Sequence, residues 1–145
     1  MRWAGVTESL RQPTTTAGAS LRDLMHSPVA ATTADTSVAA AAAGMVQANV
    51  GSAVVMQGRF LLGILTERDV LRAAASGQDL VAALVKDWMT PNPQSASPET
   101  PVEEAAQIML LNGFRHLPIV DGREVCGVVS LRDLFAARIR RPLSS

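Results

Sequence analysis

The chain has 145 residues, of which 48% are hydrophobic, and its thirteen Lys and Arg residues balance its thirteen Asp and Glu residues. This balance leaves no net positive field to hold DNA or RNA, and no stretch reaches the roughly 18 apolar residues that a membrane span needs, so neither nucleic acid nor a membrane is an expected partner. The single cysteine, Cys126, excludes an internal disulfide and fits a reducing compartment. We therefore expect a soluble cytoplasmic protein that forms one intertwined domain.

The first elements are an arm and a short turn. Residues 1–19 are rich in Thr, Gly and Ser and have little packing potential, so they are predicted to form a flexible N-terminal arm. Ser20 is a suitable N-cap for a short turn over residues 21–25, which ends before Ser27 and Pro28.

An amphipathic helix, a hairpin and a second helix follow. Apolar residues recur at helical spacing at Val38, Ala41, Ala42, Met45 and Val46, which predicts a helix with one face toward a core. Two apolar runs, residues 53–56 and 60–65, flank Gln57-Gly58 and predict a β-hairpin. The second strand is expected to end at Thr66, where a helix over residues 67–75 begins.

The whole pattern then occurs a second time. A shift of 64 residues, the spacing of Asp69 and Asp133, aligns the two copies without a gap. The second copy has the same helical spacing, two apolar runs (117–120 and 124–129) around Asp121-Gly122, and a helix from Leu131 to about residue 138. The predicted organisation is an arm (1–19), a first unit (20–77), a partly helical linker (78–86), a second unit (87–141) and a tail (142–145).

The strand-to-helix junction of each unit carries the chemistry. Each junction has a glycine, two apolar residues, a hydroxyl residue (Thr66 or Ser130) and, three positions later, Asp69 or Asp133. One interpretation is a capping box, in which the hydroxyl and the carboxylate satisfy free amides at the helix start. The other is that a flat ligand approaches the strand glycine while the carboxylate accepts from the two hydroxyls of a ribose.

A phosphate on such a ligand would be repelled by the aspartate and needs a cation elsewhere. Arg115 and His116 supply one at the head of the second hairpin. The corresponding residues of the first unit, Gly51 and Ser52, supply none. This inequality favours a single occupied cleft or a mononucleotide.

The duplicated junction, preceded by Arg-His-Leu-Pro-Ile-Val-Asp-Gly at residues 115–122 and Met-Thr-Pro at 89–91, resembles the tandem cystathionine-β-synthase-type (CBS) domain pair, or Bateman module. The resemblance spans residues 21–138. It implies an α/β (α+β) fold of two β-α-β-β-α units, packed through their sheets with pseudo-two-fold symmetry. It also implies two clefts that bind AMP, ADP, ATP or S-adenosylmethionine as regulatory ligands, with no other cofactor.

The resemblance also implies which residues line each cleft. Asp69 and Asp133 would hold the ribose, with Thr66 and Ser130 beside them, and Ile64 and Val128 would flank the base. The opposite unit would complete each cleft, with His26, Val29 and Ala30 in the Asp133 cleft and Thr90 and Pro93 in the Asp69 cleft. Gly51, Ser52, Arg115 and His116 would lie near the phosphates. The first unit departs from the pattern, because His26 replaces the threonine of Met-Thr-Pro.

Other kinds of site find little support. His26, His116 and Cys126 lack metal-ligand spacing, Cys126 lies in an apolar run typical of inert core thiols, and no nucleophile is paired with a base. The leading hypothesis is a stand-alone, non-enzymatic regulatory homodimer that binds an adenosine nucleotide and signals to a separate effector protein. The alternative is a ligand-independent interaction scaffold with vestigial clefts.

Overall fold

The computed structural model describes residues 19–25 and 29–140, with the side chains of 138–140 not described. The predicted arm up to residue 18, His26 and the tail from residue 141 lie outside this part. A 3-10 turn over Leu21–Asp23 is followed by eleven elements in this order: β1 (Ala31–Thr32), α1 (Val38–Ala48), β2 (Ser52–Gln57), β3 (Phe60–Thr66), α2 (Glu67–Ala75), α3 (Val85–Trp88), β4 (Thr90–Pro91), α4 (Val102–Asn112), β5 (His116–Asp121), β6 (Glu124–Ser130) and α5 (Leu131–Arg140).

The strands form two sheets that repeat one design. The first has the order β1-β2-β3-β4, in which β1 is parallel to β2 and the other pairs are antiparallel. The second has the antiparallel pair β5-β6, extended by a parallel bridge between Ala96 and Ile119 that repeats the pairing of Thr32 with Val55. The units meet where β3 contacts β6. The predicted mixed fold class is confirmed.

The opening turn of each unit packs in the core of the other unit. Leu21 is fully buried among second-unit side chains, and its N–H donates to the carbonyl of Thr100 at 3.0 Å. Val85, its counterpart in the repeat, is buried in the first unit's core, and its N–H donates to the carbonyl of Thr36 at 2.9 Å. The two units therefore share their hydrophobic cores, and the prediction of one intertwined domain agrees with this packing.

The hairpin turns lie one residue later than predicted. Gln57 pairs with Phe60 and Asp121 pairs with Glu124, so the two-residue loops are Gly58-Arg59 and its counterpart one repeat later, not Gln57-Gly58 and Asp121-Gly122. Gly58 has φ +64°, whereas Arg59 is not among the residues with positive φ. Positive φ at the first loop position alone is the geometry of a II′ turn, which requires glycine there.

Fewer residues of α1 face the core than its apolar pattern predicts. Val38, Ala41 and Met45 are buried, but Val46 is 79% exposed, and in α4 the equivalent Leu110 is also exposed. The prediction that both residues face the core was wrong, because the packed face of each helix is a narrower stripe, which in α1 consists of Val38, Ala41 and Met45.

Cys126 does not lie in the core. It lies at a β-bulge and is half-buried, with its Sγ 3.7 Å from the carbonyl oxygen of Glu124. The bulge inserts one extra residue into β6, which turns this side chain away from the packed face.

Candidate functional site

The start of α2 is closed by Thr66 and Asp69. Oδ2 of Asp69 accepts from the backbone N–H of Thr66 at 2.9 Å and from its hydroxyl at 3.0 Å. The N–H of Asp69 lies 3.3 Å from the same hydroxyl oxygen, which completes a capping box. Asp69 is 6% exposed, so these contacts fix a buried carboxylate.

The start of α5 repeats this geometry. Oδ2 of Asp133 accepts from the N–H of Ser130 at 2.7 Å, and the N–H of Asp133 donates to the Ser130 hydroxyl at 3.0 Å. Asp23 in the opening turn also accepts from the backbone N–H three residues earlier, that of Ser20, at 3.2 Å. The capping interpretation therefore holds at both junctions, and ligand binding by these carboxylates requires further support from their surroundings.

Asp69 also pairs with an arginine of its own helix. Nη1 of Arg72 donates to its Oδ1 at 2.7 Å, and the guanidinium lies 5.5 Å from the ring centroid of Trp88. The equivalent position in the second unit is Ala136. A carboxylate offers about four acceptor positions, so the contacts from Thr66 and Arg72 leave Asp69 roughly one more.

The Asp69 cleft is a cavity of about 710 Å³ between the two units. Its lining comes from the end of β3 and the start of α2, from the neighbouring strand β4 and the residues after it, and from residues 113–116 of the second unit. The residues predicted for this cleft all line it: Ile64, Thr66, Asp69, Thr90 and Pro93. Their role in ligand binding stays a prediction.

The Asp133 cleft is a cavity of about 940 Å³ on the equivalent surface of the second unit. Of the residues predicted for it, His26 lies outside the described residues, and the others line the cavity: Val29, Ala30, Val128, Ser130 and Asp133. Gly51 and Ser52, which were predicted to lie near the phosphates, line it as well. The side chains of Val102, Ala106 and Leu110 add an apolar wall from α4.

Three residues line both cavities: Glu67, Arg115 and His116. Two of them meet at Gly51, where a Cβ atom would lie 2.8 Å from Oε2 of Glu67 and 3.1 Å from Nε2 of His116. Any side chain at position 51 would displace these two groups. We call Glu67, Arg115 and His116 the shared wall.

Burial governs the charge of His116. Desolvation lowers the pKa of His116 below its usual 6.5, and Arg115 lowers it further, whereas Glu67, Asp133 and Asp69 raise it. The net direction is downward, so the imidazole is neutral at pH 7. Arg115 is consequently the permanent cation of the shared wall.

Sequence reasoning missed four charged residues of the clefts: Glu67, Arg68, Glu103 and Arg132. Arg68 lines the Asp69 cleft and Arg132 lines the Asp133 cleft, each directly before its aspartate. Their identity across the repeat was the signal that could have identified them. Glu67 gave no such signal, because its counterpart is Leu131.

Gly63 allows a close approach, but not by a ligand. A Cβ atom at this position would lie 2.7 Å from Sδ of Met89 and 2.7 Å from the carbonyl oxygen of Thr90. The space is filled by the segment that forms β4, which pairs with β3 at Gly63. The hypothesis that a flat ligand approaches here was wrong for the first unit, because the protein occupies the space itself.

The described residues contain neither a cluster of metal-binding side chains nor a helix that could span a membrane. Within residues 19–25 and 29–140, no cluster of three His, Cys, Asp or Glu side chains has the arrangement of a metal site. In the same part of the chain, every helix is too short or too polar to cross a bilayer.

The CBS domain family model matches the chain twice, at residues 21–76 and 85–140. The chain belongs to the CBS domain family. The two matches cover most of the sequence and coincide with the two structural repeats, so the resemblance drawn from the junction motifs is confirmed. The exact unit boundaries given above stay a prediction.

Sequence relatives include a 17.7 kDa protein of Acidianus ambivalens, 42% identical over 102 residues, which cover 69% of this chain and 61% of that protein. The CBS domain-containing protein YhcV of Bacillus subtilis is 37% identical over 116 residues, which cover 79% of this chain and 82% of YhcV. The mitochondrial CBS domain-containing protein CBSX3 of Arabidopsis thaliana is 37% identical over 111 residues, with 72% and 54% covered. The chain thus spans between about half and four fifths of these relatives.

Solved CBS structures share the fold. The CBS domain structure of NE2398 has a TM-score of 0.77 at 29% identity, covering 83% of this chain and 98% of that one. CBSX2 in complex with AMP has a TM-score of 0.71 at 26% identity, covering 85% and 98%. The CBS domain pair of MJ0100, in complex with 5′-methylthioadenosine and S-adenosyl-L-methionine, has a TM-score of 0.75 at 25% identity, covering 83% and 98%.

Proposed function

We propose that this CBS pair is a regulatory protein that binds an adenosine nucleotide in its inter-unit clefts. The candidate ligands are AMP, ADP, ATP and S-adenosylmethionine. The observation that carries the proposal is the pair of cavities, each with a capped aspartate at a helix start on one side and residues of the other unit opposite it.

The chemistry of both cavities suits an adenosine compound. A carboxylate at a helix start can accept from ribose hydroxyls, with roughly one such position left on Asp69, and apolar side chains such as Ile64 or Val128 can flank a base. The arginine before each aspartate, Arg68 or Arg132, adds a cation for a phosphate. Both volumes fall within the range of typical small-molecule sites.

The structural relatives support the same ligand class. CBSX2 is described in complex with AMP, and the MJ0100 pair in complex with 5′-methylthioadenosine and S-adenosyl-L-methionine. These ligands share the adenosine group and differ at the 5′ position. The shared feature is the one that the aspartates and the apolar flanks would recognise.

The proposed output is a change of shape or of assembly that a separate effector protein senses, with no catalytic step by this chain. A cytoplasmic homodimer is part of the proposal. Exposed apolar side chains outside both cavities, such as Val46 and Leu111, support assembly, because exposed apolar groups favour association. Light scattering of the purified protein with and without AMP would measure the assembly state.

The ligand proposal is tested by calorimetry with AMP, ADP, ATP and S-adenosylmethionine, and with GMP as the comparison. Asp69→Asn plus Asp133→Asn keeps one oxygen for capping and removes the charge, so we expect the affinity to fall at least about tenfold, the value of a charge-assisted hydrogen bond. Asp23→Asn is the matched control, because Asp23 makes the same backbone contact outside both cavities. Wild-type affinity in the double variant would contradict the ribose assignment.

A ligand-independent interaction scaffold is the second candidate. Gly51 and Ser52 leave the first unit without the cation of the second unit, and Arg72 already uses part of the acceptor capacity of Asp69. A ligand that binds only the folded state raises the melting temperature by mass action. If no adenine or guanine compound shifts the melting temperature, the scaffold is favoured over the sensor.

A further inference from the structure

We propose that the two clefts compete for Arg115, so that a phosphate-bearing ligand in one cleft weakens the binding of a second phosphate-bearing ligand in the other. The inference rests on the proposed function and adds how its two sites influence each other. It predicts negative coupling for AMP and none for adenosine, which lacks the phosphate.

The clefts are not independent cavities. Arg115, His116 and Glu67 line both of them, so the guanidinium of Arg115 can reach an anion on either side. The backbone carbonyl of Arg115 accepts from the N–H of Leu131 at 2.9 Å, which fixes this residue at the start of α5. The N–H donors of one guanidinium can all bind a single phosphate. A second phosphate can bind only if the two share these donors.

The first unit offers no equivalent cation. Gly51 occupies the position that Arg115 has in the second unit, and its carbonyl accepts from the N–H of Glu67 at 3.0 Å. The missing side chain leaves the space into which Glu67 and His116 project. A second arginine at this position would displace both, so the asymmetry is built into the packing of the shared wall.

The other charges of the shared wall do not replace the cation. Glu67 repels a phosphate in either cleft, and the lowered pKa of His116 leaves its ring uncharged at pH 7. Arg68 and Arg132 each line one cavity of the described part and so act on their own cleft alone. The coupling therefore passes through Arg115.

The expected size follows from electrostatics. A second phosphate that loses its charge-assisted hydrogen bonds to Arg115 is expected to bind roughly tenfold more weakly, before salt screening. The coupling should shrink as ionic strength rises, because the Debye length falls from about 10 Å at 0.1 M to about 3 Å at 1 M.

Calorimetry on three proteins measures the coupling. Asp69→Asn and Asp133→Asn each weaken one cleft at least about tenfold, so the tighter site in each variant reports the intrinsic affinity of the unaltered cleft. In the wild type, the product of the two AMP association constants is expected to be about tenfold smaller than the product of these two intrinsic constants. With adenosine the two products should agree. Circular dichroism and melting curves confirm that each variant is folded.

Arginine variants show which side chain causes the coupling between the two clefts. Arg115→Ala should weaken AMP binding in both clefts and remove the ligand's preference for single occupancy, with adenosine binding unchanged. Arg123→Ala is the matched control, because Arg123 stacks over Phe60 at 5.7 Å and lines neither cavity.

The outcomes separate the inference from the proposed function. Equal products for AMP, or the same coupling for AMP and adenosine, would overturn the inference and leave nucleotide sensing intact. The absence of binding by any adenosine compound to the wild type would overturn both.

Discussion

The two clefts have the same backbone geometry but different side-chain surroundings. Asp69 and Asp133 cap their helices through the same contacts, at 2.9 and 2.7 Å from the N–H three residues earlier. Arg72 holds the second oxygen of Asp69 and stacks on Trp88, whereas Ala136 stands at the equivalent position of the other unit. Arg115 has Gly51 as its counterpart.

This difference shows what the duplication preserves. The capping boxes, the hairpin glycines and the exchanged opening turns are present in both units, because each satisfies backbone groups or fills a core that the fold requires. Side chains that face the cavities without capping a helix, such as Glu67 and its counterpart Leu131, differ between the units. Symmetry of the fold therefore does not predict symmetry of binding.

The two units differ in their clefts. The largest expected effect tests whether they nevertheless depend on each other for stability, through the packing of an opening turn in the other unit's core. Leu21→Ala removes a fully buried side chain from the second unit's core, and we expect a loss of about 3 kcal/mol in the free energy of unfolding. Urea denaturation measures the loss. Val81→Ala, at a side chain 72% exposed, should change it by less than about 0.5 kcal/mol. Two separate unfolding transitions would contradict the shared core.

The next largest effect perturbs the Asp69 cleft alone. Gly63→Ala would place a Cβ atom 2.7 Å from the Thr90 carbonyl oxygen, so β4 must move away from β3. We expect a loss of about 1–3 kcal/mol in stability and weaker ligand binding in this cleft, measured by denaturation and calorimetry. Gly44→Ala is the control, because its Cβ would meet nothing within 4 Å, and a gain of up to about 1 kcal/mol is expected in a helix. Normal stability of Gly63→Ala would show that β4 is not held at this glycine.

A smaller effect tests the contact that distinguishes Asp69 from Asp133. Arg72→Ala removes an ion pair and a cation–π contact from a side chain that is 56% exposed, so we expect a loss of about 0.5–1 kcal/mol. In a Trp3→Phe background, Trp88 is the remaining tryptophan, and its fluorescence should change. Arg59→Ala removes an arginine 3.8 Å from its nearest carboxylate and should leave both readouts unchanged. An unaltered emission spectrum in Arg72→Ala would refute the stacked arrangement.

The smallest effect concerns the charge of the shared wall. Proton NMR should give His116 a pKa below 6.5, because burial disfavours its charged form. Since the folded pKa is lower than the unfolded one, the stability associated with neutral His116 is complete above pH 6.5 and is lost as the pH falls through 6.5 toward the folded value. His116→Gln assigns the resonance, because the chain has only two histidines. A measured pKa above 6.5 would mean that the carboxylates outweigh burial.

Local features were predictable from the sequence because local chemistry determines them. Helix α2 begins after Thr66, as the hydroxyl and the aspartate three residues later indicated. The repeat also allowed the second hairpin to be predicted from the first. The loops were displaced by one residue because the strand register, and not the Asp-Gly pair alone, sets where a hairpin turns.

The features that were missed depend on contacts between distant parts of the chain. Periodicity does not indicate that Leu21 packs in the second unit or that Met89 fills the space beside Gly63. The pairing of Asp69 with Arg72 has a local spacing, but the stack on Trp88 requires the folded arrangement. Glu67 was missed because the repeat has no equivalent acid to mark it.

The exchanged opening turns have a consequence for dividing the chain. If the chain were cut in the linker, each fragment would have an incomplete core and an opening turn without its packing partners. The reason is that Leu21 packs in the second unit's core and Val85 in the first unit's core. The two fragments should thus remain largely unstructured when expressed apart and regain structure when mixed. Such a pair of fragments could serve as a split reporter, because a ligand bound in a cleft would promote their reassembly.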